Sequence, residues 1–410
     1  MRANVLLMML ISTPVLMAQH SLHMPIGDAA RKDKEARLVL DAVTDTATGD
    51  LITPREAVAR LANASLIFVG ESHTSMDFHR VQKQVIEELA RSGRKVFVGL
   101  EMYPYTEQRF LDDWSMGYLT ETGFIQTSHW YKNWGYHWNY YRDIFQFARD
   151  HNIRMFAVNT PREVVTAVRK KGFQNLTTEE AAHIPSNINT ESEDHFNLFK
   201  AFFEEETGMH GSMDDKMARA MFDAQCTWDA TMGFNAVRAL KEFGDMNTVM
   251  VVLIGSGHVA YGLGAERQAA QWYEGKMASI IPIQVVDDKE RSIETVRASY
   301  ADFIWGLPQE KDTLYPDLGL STGEIPGESK RKVISVSKDS VAKTAGFHVG
   351  DILLAMDGVS LGDREILNRL MADKAWGDSA SFVVRRGDKE IPIQVLLRRR
   401  QMPPPQPKAQ

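Results

Sequence analysis

A single cysteine, Cys226, stands in the 410 residues, so no disulfide can form within the chain and the fold depends on none. Cations are not in excess either. Lys and Arg number 47 against 54 Asp and Glu, and the resulting charge of −7 argues against a broad nucleic-acid-binding surface. The one basic triplet, Arg398-Arg399-Arg400, precedes a proline tail and reads as a solvated end. Missing too are a P-loop, a dinucleotide-binding glycine pattern and a helical His-Glu-x-x-His zinc motif. The apolar run Val5 to Met17 is too short for a comfortable membrane span. Behind Met1-Arg2-Ala3-Asn4 it reads as an export signal over 1–18, cleaved after Ala18, with an uncleaved anchor as the alternative. No cysteine follows it, so a lipoprotein attachment site is lacking and a periplasmic or cell-envelope location is expected.

What is present is a series of apolar runs that end in chemistry. Leu66-Ile67-Phe68-Val69 reads as a buried parallel strand and runs into Gly70-Glu71-Ser72-His73. If the extended backbone persists, the i,i+2 spacing puts Glu71 and His73 on one face. An amphipathic helix is expected over 76–91, with Val81, Val85, Ile86 and Leu89 on its apolar side. A second strand, Lys95 to Glu101, again ends in a carboxylate. A third, Arg154 to Asn159, leads into Thr160-Pro161-Arg162-Glu163, where Thr160 can cap a helix and Pro161 can open it. Helices follow around 193–206 and 214–243. A fourth strand, Val249 to Ile254, runs into Gly255-Ser256-Gly257-His258 and repeats the opening arrangement. A fifth spans 280–286. Alternating strands and helices imply an α/β domain, a mainly parallel sheet covered by helices on both faces.

Other stretches are less regular. Residues 29–62 are charged and helix-friendly, and 305–330, rich in Gly, Pro and charge, read mostly as linker. Trp130, Trp134 and Trp138 recur every fourth residue, so a helix there would stack them on one face, as core or interdomain packing. Cys226, inside a long helix, reads as a small buried hydrophobe.

Ligands of open α/β sheets bind beyond the carboxyl ends of the strands. Glu71, His73, Glu101, Arg162 and His258 all fall there. The two histidines and two carboxylates could hold a divalent metal, with Arg162 stabilising an anion. Without a metal, Glu and His could carry acid–base work, or the histidines could simply cap their strands.

The ordered set Phe68 to His73, Gly99-Leu100-Glu101-Met102, Trp134-Gly135-Tyr136, Asn159 to Glu163, Ala224 to Asp229 and Gly255 to Gly262 resembles the ChaN family of the Tiki superfamily. That resemblance covers about 64–287 and implies haem binding outside the cytoplasm, linked to iron uptake. It implies a Tyr or His ligand to the haem iron, with His73, His79, Tyr103, His258 and Tyr261 as candidates. Tiki-like relatives are metal-dependent peptidases, which implies Glu71, His73, Glu101 and His258 as metal-site residues and Glu71 with Arg162 as catalytic ones. The two readings stay open side by side.

A second resemblance, to PDZ domains of the bacterial protease-associated type, rests on Val333 to Val336, Ser340 to Gly346 and Val349 to Gly358. It implies a small β-sandwich-like domain that takes a peptide as an added strand, with Leu318-Gly319-Leu320 as the carboxylate loop. The expected organisation is a signal over 1–18, a haem-binding domain over 30–303, a linker over 304–317, a PDZ domain over 318–398 and a disordered Pro-rich tail over 399–410. Expected partners are haem, or alternatively a divalent metal ion, and a protein or C-terminal peptide; nucleic acid is not expected, and a homodimer is compatible with these features.

Overall fold

In the computed structural model of the chain, residues 20–207, 214–287, 290–325 and 327–399 are described. The expected signal and nearly all of the Pro-rich tail lie outside the described residues. The first sheet is built from β1 (Val43–Asp45), β2 (Leu51–Ile52), β3 (Leu66–Glu71), β4 (Lys95–Pro104), β5 (Arg154–Asn159), β6 (Thr248–Gly255), β7 (Met277–Gln284) and β8 (Phe303–Leu307). Its helices include α1 (Met76–Arg91), α2 (Arg162–Lys171), α3 (Glu193–Thr207) and α4 (Asp215–Phe243). Across the eight-stranded sheet the order is β2-β1-β8-β7-β3-β6-β4-β5. Every neighbouring pair from β8 to β5 is parallel, and only β1 and β2 join antiparallel. The carboxyl ends of β3, β6 and β4 therefore lie side by side.

Strand alternation sorts the apolar side chains between two cores. Ile67, Val69, Val98, Leu100, Val251 and Leu253 pack toward α1 and the aromatic segment. Leu66, Phe68, Phe97, Val252 and Ile254 pack on the other face, with Met232, Ala236 and Val237 of α4. The apolar stripe of α1 is nearly water-free, with Val81, Val85, Ile86 and Leu89 each 1% exposed. Burying each such side chain contributes about 1.5–3 kcal/mol. By the same parity Glu71 falls on the aromatic side and Glu101 on the α4 side.

Several elements depart from the sequence reading. Residues 29–62 hold β1, β2 and the short strand Glu35–Arg37 before a single helix, Pro54–Arg60. These strands complete the sheet edge against β8 and pair with Thr295–Arg297, long-range partners that local propensity does not reveal. Because β8 pairs with β7, residues 305–307 are core rather than linker. Thr160 does not cap α2. Its hydroxyl donates to the His183 carbonyl, and Pro161 occupies the N-cap. The tryptophans do not share one helix, for the helix stops after Trp130–Asn133 and Gly135 adopts φ +93. Trp130 and Trp138 still meet edge to face at 4.9 Å, inside the core.

The second sheet is antiparallel: β9 (Leu320–Ile325), β10 (Glu328–Val336), β11 (Ile352–Met356), β12 (Val359–Ser360), β13 (Ser379–Arg386) and β14 (Lys389–Leu396), with helix α5 (Arg364–Ala372). The order β9-β10-β11-β13-β14 leaves β9 at an edge, and β12 pairs with β11. Val333, Phe347, Leu353, Met356, Leu367 and Phe382 form its core. Fully buried Asp351 is held by Arg386 through two parallel bonds of 2.7 and 2.8 Å.

This unit is seated on the aromatic segment of the first. The Asn368 amide donates to the Tyr131 carbonyl, and Arg364 Nη2 donates to the Trp134 carbonyl, each at 2.9 Å. A Cβ on Gly135 would stand only 2.7 Å from Arg364 Nη2, so glycine permits the close approach of α5. Tyr315 stacks on His137 at 3.4 Å, with the ring planes nearly parallel.

Candidate functional site

The crevice begins where β3 ends. Glu71, 3% exposed, closes the strand, and its Oε1 accepts a bond from the Tyr141 hydroxyl at 2.7 Å and another from His73 Nδ1 at 2.7 Å. His79, from α1, brings its Nε2 within 3.2 Å of Oε2. Extended backbone does not persist through His73, which lies in a turn. The two side chains meet because the chain folds back, not through strand alternation. Burial alone would raise the Glu71 pKa, but the His79 charge and the His73 bond hold it well below the usual carboxylate range. Burial would lower His73, yet the bond and charge of Glu71, then Glu101, raise it. With Nδ1 committed to a carboxylate, Nε2 of His73 is the nitrogen left for a ligand. Trp134 stands edge-on to this imidazole at 4.7 Å and Tyr136 lies at 5.0 Å.

The second half comes from β4, β6 and α4. Pairing of β4 with β5 breaks after Leu100, and the Asn159 amide instead bonds the Glu101 carbonyl at 2.8 Å. Glu101 Oε2 accepts the Gly255 N–H at 2.7 Å, while Oε1 is 3.5 Å from His258 Nε2. His258 Nδ1 donates to Asp229 Oδ1 at 2.5 Å, with the Gln225 amide 2.9 Å away. Asp229 is fully buried, and His195 approaches its other oxygen at 3.5 Å. Burial opposes the charge on His258, but Asp229 and then Glu101 outweigh it and raise its pKa to about 10. Burial pushes the neighbouring His195 down to about 4. Glu101, despite burial, is lowered by its bond to His258. Gly255 lies between the halves, where a Cβ would stand 3.2 Å from His73 Cε1.

Glu71, His73 and Glu101 each offer a ligand atom within 4.8 Å of the others, a spacing that suits one metal ion. His258 adjoins this trio but spends Nδ1 on Asp229. Arg162 opens α2 just past β5, and its guanidinium has no hydrogen bond or ion pair among the described residues.

Two candidates fall elsewhere. The Tyr103 hydroxyl pairs with Ser128 Oγ at 2.7 Å, and its ring packs on Phe124 and Trp130, committing it to the core. Tyr261 adopts φ +62, and its hydroxyl donates to the Ser21 carbonyl and accepts the Met24 N–H. It fastens the segment at 21–24 instead of facing the crevice. In the second unit, Gly319 turns with φ +68, its N–H bonded to Asp317 Oδ1 at 2.8 Å, and Leu318 is buried. The sequence reading named Trp134, Tyr136, Gln225 and Asp229 only within motifs or packing, and placed none of them, nor Tyr141 or His195, in the site. Gln225 and Asp229, one helical turn apart, carried the available signal. Cys226 is fully buried and burial pushes its thiol up, as expected of a small core residue.

The family model described as haem-binding uptake, Tiki superfamily, ChaN matches residues 57–268, and a PDZ domain model matches 316–397. Among solved structures, ChaN of Campylobacter jejuni, described as binding heme cofacially, is 16% identical with a TM-score of 0.50. That match covers 64% of this chain and 95% of the other. An HtrA-type protease, AlgW, solved with a decapeptide, is 22% identical with a TM-score of 0.20 over 23% of this chain and 31% of the other. Protein RETICULATA-RELATED 5, chloroplastic, of Arabidopsis thaliana is 22% identical over 260 residues, 60% of this chain and 34% of that protein. The chain thus spans about a third of the length of that curated relative.

Proposed function

The chain belongs to the ChaN family of haem-binding uptake proteins in the Tiki superfamily, and from that premise we propose that the crevice beyond β3 and β6 binds haem. The observation that carries this reading is His73, an imidazole with Nδ1 bonded to buried Glu71 and its ring flanked by Trp134 and Tyr136. A carboxylate on one nitrogen raises the basicity of the other toward iron, and aromatic walls suit a flat porphyrin. The donor set therefore fits the group. Titrating haem into the purified chain should produce a Soret band that His73→Ala shifts or abolishes. A chain that takes up no haem at micromolar concentration would remove this reading.

The PDZ unit supplies the partner side of the proposal, since its edge strand β9 suits a peptide added as a further strand. Export to the cell envelope follows from the basic start and apolar run before Ala18, and proteomic mapping of the mature end tests it. A homodimer would show in light scattering with and without haem.

One observation favours a second reading. The Glu71, His73 and Glu101 spacing of 4.8 Å suits a bare divalent ion, which when bound would supply Lewis-acid activation of water for peptide hydrolysis. Glu71 and Arg162 would then be the acid–base and anion-holding groups. Metal-dependent peptide cleavage, lost in Glu71→Gln, would favour it. Metal-loaded, folded protein without turnover across a broad peptide library would end it.

A further inference from the structure

Three arginines from three separate elements bear on one another's charge where the two units touch. Arg162 comes from the start of α2, Arg331 from β10 and Arg364 from the start of α5. Arg364 gives Nη2 to the Trp134 carbonyl, but its Nη1 is buried with no hydrogen-bond partner. Arg331, 7% exposed, is fixed by bonds of 2.7 and 2.8 Å to Thr322 on β9. Its remaining nitrogen reaches only to within 3.6 Å of Glu324, whose side chain is 85% exposed. Arg162 has no bonded partner among the described residues. Two carboxylates, Glu324 and Asp363 at the N-cap of α5, thus stand near three guanidinium groups. A buried guanidinium nitrogen left without an acceptor is costly, and an arriving anion would satisfy it.

The cluster adjoins the crevice. Trp134, whose carbonyl receives Arg364, has its ring 4.7 Å from His73, and Tyr136 follows two residues later at 5.0 Å. Burial and then the charges of Arg162 and Arg331 lower the Arg364 pKa to about 10, and burial with Arg331 lowers Arg162. Mutual repulsion of that kind is relieved by a shared counter-ion.

We propose that Arg162, Arg331 and Arg364 form one carboxylate-binding cradle, completed only when the PDZ unit is seated, that holds the propionates of a porphyrin lying against His73. This rests on the haem reading and adds to it a residue set contributed by both units. Planar guanidinium forks match carboxylates in paired bonds, so the acid form of the ligand should be distinguished from its ester.

The test uses the full chain with metal-free protoporphyrin IX and its dimethyl ester, followed by tryptophan fluorescence quenching. The wild type is expected to bind the diacid at least tenfold more tightly than the diester. Arg162→Gln, which breaks no bond in the fold, should lose most of that preference, and Arg364→Gln should lose it too. Arg364→Lys, retaining charge without the fork, should recover part of it. Equal affinities for diacid and diester, no binding of the diacid, or a preference that survives Arg162→Gln and Arg364→Gln would each overturn the cradle. An acidic peptide whose binding alone depends on these arginines would overturn the porphyrin assignment. Failure of haem ligation would look different. The diacid preference would persist, in wild type and in His73→Ala alike, while haem gave no His73-dependent Soret band.

Discussion

His73 and His258 follow glycines at the ends of adjacent parallel strands, and their sequence settings are nearly interchangeable. Their surroundings are not. His73 leans on Glu71, and 27% of its side chain reaches solvent among aromatic rings. His258 is 13% exposed, gripped at Nδ1 by a fully buried aspartate and approached at Nε2 by Glu101. One imidazole is presented and the other is enclosed. The carboxylate beneath each makes the difference. Glu71 is local, at the end of the same strand, while Asp229 arrives from α4 and locks its histidine into the core.

The largest expected effect separates the two on stability. Asp229→Ala leaves the buried His258 without its principal partner and should cost about 3–5 kcal/mol in urea unfolding. A loss below about 1 kcal/mol would put both histidines on the same footing. Next comes ligand binding. His73→Ala should weaken haem about 100-fold or more, roughly 2.7 kcal/mol, with little change in melting temperature. Equal losses of affinity in His73→Ala and a folded His258→Gln would break the contrast.

A further effect on stability is expected with pH. The folded protein holds the His258 proton more tightly than the unfolded chain, because its pKa moves from 6.5 to about 10. The stabilisation is complete below about pH 6.5 and is lost as pH rises through about 10. Urea midpoints between those values should fall in the wild type and flatten in His258→Gln. A midpoint that rises over that range would reverse the sign. The smallest change is Gly255→Ala, whose methyl would press on His73 Cε1 at 3.2 Å. A loss of about 1 kcal/mol in haem affinity is expected, with stability nearly unchanged. A haem titration and a thermal melt on the same sample would measure both.

The parallel sheet was legible because its strands are continuous apolar runs, and α1 because Val81, Val85, Ile86 and Leu89 keep helical spacing. Glu71, His73, Glu101 and His258 were legible because each sits at a strand end, and the sheet gathers them. Asp229 was not, since a buried carboxylate in the middle of a long helix looks like any polar position until the partner histidine is seen. Tyr103 and Tyr261 stand away from the crevice for the converse reason. Proximity in sequence to Glu101 and His258 says nothing about where a hydroxyl is spent. β1, β2 and β8 were hidden because short edge strands acquire their identity from partners far along the chain. Arg331 and Arg364 belong to the second unit, and only its seating on Tyr131 and Trp134 brings them near Arg162.

That seating has a thermodynamic consequence. The stretch from Trp130 to Tyr141 is wall to the crevice on one side and bed for α5 on the other. A peptide whose binding shifted α5 would move this wall and, with it, the free energy of a ligand against His73. By reciprocity the crevice ligand must change the peptide's affinity by the same factor. Loading and partner choice would then be two readings of one equilibrium, with Gly135, too small to cushion it, as the point of contact.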